Sequence, residues 1–70
     1  MNRELELTIS CVDGSAMTCV SSSNKVILAF LKANDHEGSA IELTVLEVLE
    51  DFVYTDEEYT GEEAYKYLGA

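Results

Sequence analysis

The sequence predicts a small α+β domain of order ββαβαα, an N-terminal β-hairpin and a third strand packed with two or three short helices. Three observations lead there. The chain opens with strict two-residue alternation, carries a hairpin turn signal at Asp13-Gly14, and then spaces its apolar residues as helices do. With 70 residues, 47 % of them hydrophobic, and no proline, the chain can bury a core and reads as one domain, residues 1–70. A domain this small has about 3–5 kcal/mol of stability to spare, so a homodimer that enlarges the core is expected.

In Glu4-Leu5-Glu6-Leu7-Thr8-Ile9-Ser10-Cys11, the residues Leu5, Leu7, Ile9 and Cys11 share one face and Glu4, Glu6, Thr8 and Ser10 the other. That is a half-buried strand. Asp13-Gly14 turns it, and Ala16 to Val20 return antiparallel. Met17 and Cys19 join the apolar face only if the loop has an odd number of residues. Ser21-Ser22-Ser23-Asn24 offers several N-caps for a mostly buried helix, in which Val26, Ile27, Phe30 and Leu31 recur at helical spacing opposite Lys25 and Lys32. The same run also fits a central strand paired with residues 41–45, which periodicity leaves open.

Gly38 and Ser39 end that element, and Ala40-Ile41-Glu42-Leu43 reads as a short third strand. Thr44-Val45-Leu46-Glu47 then has the capping-box pattern, with Leu43 and Val48 placed for a hydrophobic staple. A helix is predicted to start here. At 100° per residue Val45, Val48, Leu49 and Phe52 fall on one side, while Glu47, Glu50 and Asp51 gather opposite with Tyr54 among them. A linker, Thr55 to Tyr59, leads to a second capping-box pattern at Thr60-Gly61-Glu62-Glu63 and a last short helix ending at Gly69.

Charge is the most unusual property of the chain. Fourteen Asp and Glu face four Lys and Arg, a formal net charge of −10. Residues 1–34 are neutral, since Glu4, Glu6 and Asp13 balance Arg3, Lys25 and Lys32. Residues 35–70 hold eleven acids and the single base Lys66, so this acidic half carries the whole net charge. From Glu42 to Glu63 there are nine carboxylates and no base, and all four tyrosines lie in or just after that stretch.

This pattern excludes several functions. A chain without a basic patch is not expected to bind nucleic acid or an anionic membrane directly. The longest apolar run, Val26 to Leu31, has six residues, far below the roughly 18–20 of a membrane span. The N-terminus lacks the basic and apolar regions of a signal peptide, so a cytoplasmic location is expected. Cys11 and Cys19 are too few for a zinc site and read as reduced strand residues. The only histidine, His36, sits in a polar loop away from both cysteines in sequence. No enzyme, catalytic residue, metal or cofactor is therefore expected. Asp56-x-Glu58-x-Thr60-Gly61 matches the first half of an EF-hand loop, but its twelfth position is Tyr67, where a bidentate Glu is required.

The acidic surface itself remains. Solubility alone is the plainer explanation for it, yet nine like charges in one stretch repel each other and destabilise the fold. Tyrosines beside them add flat anchor groups of the kind enriched at interfaces. In size, charge layout and composition, chiefly over Glu42 to Glu63, the chain resembles phage-encoded DNA-mimic proteins: small acidic inhibitors of host uracil-DNA glycosylase, restriction enzymes or the histone-like protein HU. The resemblance implies a non-enzymatic host-takeover protein, acting in the bacterial cytoplasm, that binds the basic DNA-binding surface of a host protein of the HU type. The expected partner-binding residues are Glu42, Glu47, Glu50, Asp51, Tyr54, Asp56, Glu57, Glu58, Tyr59, Glu62 and Glu63. The alternative is an acidic interaction module, adaptor or antitoxin-like, that recognises its partner through an apolar groove or a strand edge.

Overall fold

A computed structural model describes residues 2–69, apart from the side chains of Asn2 and Asp56. The α+β class holds. The elements are β1 (Asn2–Cys11), β2 (Ala16–Ser21), α1 (Asn24–Asn34), a 3-10 turn (Asp35–Glu37), β3 (Gly38–Leu49), β4 (Phe52–Thr60) and α2 (Glu62–Leu68). The four strands form one antiparallel sheet in the order β2-β1-β3-β4, so β1 and β3 are central and β2 and β4 are its edges.

The first hairpin resolves its parity. Ile9 pairs with Met17 and Leu7 with Cys19, and the Cys11 N–H donates to the Ser15 carbonyl at 2.8 Å, which leaves the three-residue loop Val12-Asp13-Gly14. Gly14 takes φ 92, a conformation that suits a residue without Cβ. Ser15 donates to Asp13 Oδ1 from both its backbone N–H (2.9 Å) and its hydroxyl (2.6 Å), and these bonds hold the Asp13 carboxyl below its usual pKa. Met17 and Cys19 therefore join Leu5, Leu7 and Ile9 on the inner face.

Residues 24–34 are a helix, which settles the choice left open for this run. Ser23 is its N-cap, with its hydroxyl accepting from the Val26 N–H at 3.4 Å. Ile27 and Leu31 are buried and Phe30 is half-buried, but Val26 is on the surface, so less of the helix is covered than the spacing implied. The helix α1 packs over β1 and β2, and α2 over β4 and β3. Both lie on the inner face, where Leu5, Leu7, Ile9, Leu43, Val45, Ile27, Leu31, Ala64 and Leu68 form the core. Each large aliphatic side chain so buried contributes about 1.5–3 kcal/mol. Gly38 is needed where β3 begins, because a Cβ there would stand 2.7 Å from Ile9 Cγ2.

Three expectations are corrected. The helix predicted from Thr44 does not form: Thr44 to Leu49 continue β3, the chain turns at Glu50-Asp51, and Phe52 begins β4. The physical reason is pairing. Strand β3 hydrogen-bonds to β1 along its whole length, from Gly38 beside Cys11 to Val48 beside Asn2, and β4 covers its other edge. These ladders outweigh a capping pattern that is only local. The presumed linker Thr55 to Tyr59 is the centre of β4. At α2 the N-cap is Gly61, with φ 55 and no side-chain cap bond, so Thr60 does not cap this helix.

Candidate functional site

The β3–β4 hairpin and the first turn of α2 hold the nine carboxylates between Glu42 and Glu63, and strand geometry decides where they point. Glu42 and Glu58 project from the outer face of the sheet, which no helix covers among the described residues. Glu47 and Glu57 belong to the inner face, Glu47 half-buried and Glu57 exposed. Glu50 and Asp51 form the turn, and Glu62 and Glu63 open α2. The described members of the predicted set are thus spread along the β3–β4 hairpin and the first turn of α2, and they alternate between two sheet faces instead of lying on one helical face.

A bulge marks the middle of β4. Glu57 pairs with Val45 and Thr55 with Leu46, leaving Asp56 as the extra residue. The side chain of Asp56 lies outside the described residues. Charges on an edge strand also have a structural use, since they discourage pairing with another sheet edge.

Cross-strand register adds two acids from the neutral half of the chain. Val20, Glu6, Thr44 and Glu58 form one row on the outer face, and Glu4 stands in the next row beside Leu46. Glu4 and Glu6 therefore extend the acidic outer face into β1. Strict alternation had already put both on the polar face of the first strand; what it lacked was the identity of that strand's neighbour.

The tyrosines divide into two groups. Tyr54 is 46 % exposed on the inner face near the hairpin end, where a partner can reach it. Tyr59 is half-buried and stacks on Tyr67 with ring centroids 4.8 Å apart and planes inclined by 29°, while its hydroxyl donates to Glu57. Its place is in the packing between β4 and α2. Tyr65 donates to Asp35 Oδ2 at 2.7 Å, and that bond, aided by desolvation and the negative charge of Asp35, holds the Tyr65 phenol above its usual pKa.

One constellation was invisible in sequence. His36 and Glu37 come to line a shallow depression with Cys11 and Asp13 at the end of the first hairpin. The Cys11 thiol points toward the Ile9 carbonyl at 3.8 Å, and Asp13 is engaged by Ser15. Among the described residues no group of three or more His, Cys, Asp and Glu is arranged to hold a metal ion. No described helix is long and apolar enough to cross a membrane. Comparison with known proteins finds no matching family, no matching curated relative and no matching solved structure.

Proposed function

We propose that this protein is a non-enzymatic DNA mimic that occupies the basic DNA-binding surface of a host protein, best an HU-type nucleoid protein, and blocks its binding to DNA. The observation that carries this reading is the run of nine carboxylates from Glu42 to Glu63, without an intervening Lys or Arg, on the β3–β4 hairpin and the start of α2. Strand geometry sets the spacing of those charges. A strand advances about 3.3 Å per residue and its side chains alternate between faces, so Glu57 and Glu58 follow each other along the edge strand at nearly the interval of phosphates on one DNA strand, about 3.4 Å, one on each face of the sheet. A partner built to neutralise phosphates with Lys and Arg meets the same charge here and releases the same counterions on binding.

The test is a titration of the protein into a purified HU-type protein at low and high salt, followed by duplex DNA as competitor. The expected result is affinity that falls steeply with salt and a complex that DNA displaces. Binding indifferent to salt, or a ternary complex with DNA, would rule the reading out. A second reading, an interaction module that adds a strand to its partner, has the outer edge of β4 in its favour. It predicts that Phe52 and Tyr59 substitutions matter more than charge neutralisation.

A further inference from the structure

The described residues include seven exposed large hydrophobic side chains, and four of them, Leu49, Phe52, Val53 and Tyr54, crowd into the free end of the β3–β4 hairpin. Phe52 is 74 % exposed and Val53 62 %. Leu49, Phe52 and Tyr54 share the inner face, and Val53 shares the outer face with its cross-strand partner Val48. The hairpin end is therefore apolar on both sides, a wedge and not an exposed stripe. Carboxylates surround it: Glu47 lies one row inward, and Glu50 and Asp51 form the turn. The nearest base by register, Arg3, pairs with Glu47 but sends its guanidinium to Tyr67 and Asn24.

We propose that this hairpin end anchors the complex: Phe52 and Val53 enter an apolar cleft on a basic protein, and Lys or Arg on the rim of that cleft meet Glu47, Glu50 and Asp51. This rests on the reading of a basic, DNA-binding partner. Charge complementarity selects that occupant over the others. A second copy seated on the wedge would bring Glu50 and Asp51 of two chains together, each chain with a net charge of −10. An anionic membrane surface is repelled in the same way. A cleft that normally receives DNA and is flanked by cations satisfies both the apolar and the acidic part of the wedge. Anchoring by buried aromatic groups inside a charged rim is the usual distribution of energy at protein interfaces.

The experiment compares three proteins by calorimetric titration into an HU-type nucleoid protein at about 50 mM and about 200 mM salt. They are the wild type, Phe52→Ser with Val53→Thr, and Glu57→Gln with Glu58→Gln. Thermal melts check folding, and Phe52→Ser alone serves if the double variant melts early. The expected result is that the wedge variant binds about tenfold or more weakly at both salts with an unchanged salt slope, whereas the Gln variant has a shallower slope. A wedge variant that binds like the wild type overturns the anchor and leaves mimicry standing. Loss in the wedge variant with no effect of the Gln pair overturns mimicry and leaves the anchor. Failure of the wild type to bind overturns both. A dimer in sedimentation that only the wedge variant dissociates assigns the wedge to a second copy and overturns the proposal.

Discussion

The Arg3 guanidinium donates from Nη1 to the Tyr67 hydroxyl at 2.6 Å, joining the first strand to the last helix across 64 residues of sequence. Its Nη2 donates to Asn24 Oδ1 at 3.1 Å, and its central carbon lies 5.6 Å from the Tyr67 ring centroid. Tyr67 in turn stacks on Tyr59. One side chain thus ties together β1, the start of α1, α2 and, through the stacked rings, β4. Because the contacts are exposed, each is modest. Tyr67→Phe is expected to cost about 0.5–1.5 kcal/mol, and Arg3→Ala, which also removes the ring contact, about 1–2 kcal/mol. Urea unfolding midpoints measure both, and an unchanged midpoint for Arg3→Ala would show the cluster to be without energetic weight.

The bond from Tyr65 to Asp35 makes a pH prediction whose sign is fixed. Tyr65 has a folded-state pKa raised above the ordinary value of 10.0, because its hydroxyl donates to a carboxylate and ionising it would set phenolate against that carboxylate. A pKa raised by folding contributes stability that is complete below the unfolded value and is lost as pH rises through the folded one. Stability should therefore fall above about pH 10 more steeply in the wild type than in Tyr65→Phe. Phenolate absorbance provides a direct check: Asp35→Ala should move the alkaline end of the titration to lower pH. Superimposable curves would refute the coupling.

The fold was legible where local chemistry and long-range pairing agree. Asp13-Gly14 announced its hairpin because glycine supplies the positive φ that the turn needs, and alternation from Leu5 to Ile9 gave the buried face of β1. The second hairpin offered no such signal, since Glu50-Asp51 contains neither Gly, Pro nor Asn. Strand β3 also defeats the two-residue rule: Val45 is buried on the inner face while Leu46 and Val48 are half-buried on the outer one, so its apolar residues run together and mimic helical spacing. The acidic side was legible as composition. Its layout depends on register, which pairs Glu6 with Thr44 and Thr44 with Glu58, and on a turn that exposes Phe52 and Val53 at a hairpin end.

That turn is strained at one position. Glu50 takes φ 51, the left-handed region in which an L residue with a Cβ is disfavoured by about 1–2 kcal/mol. Asn tolerates that conformation far better, so Glu50→Asn should raise stability by about 0.5–1 kcal/mol and also relieve repulsion with Asp51. Glycine should gain less, because it adds freedom to the unfolded chain. Equilibrium unfolding of the two variants orders them. A loss of stability in Glu50→Asn would mean that the glutamate makes a compensating contact in the turn.

Salt should act on this protein in opposite directions for folding and for binding. Glu6 and Glu58 flank Thr44 on the uncovered outer face, two strand spacings or about 10 Å apart, which is close to the Debye length at 0.1 M salt. Their repulsion, added to that of the other carboxylates, opposes folding most at low ionic strength. Raising salt should therefore raise the melting temperature of the free protein. Glu58→Gln should raise the unfolding free energy by about a few tenths of a kcal/mol at low salt, a gain that shrinks as salt is added. The same substitution should weaken binding to a basic partner, because it removes a charge that the partner neutralises. If Glu58→Gln stabilises the chain but leaves the affinity and its salt slope unchanged, the outer face contributes repulsion alone, and recognition belongs to the inner face and the hairpin end.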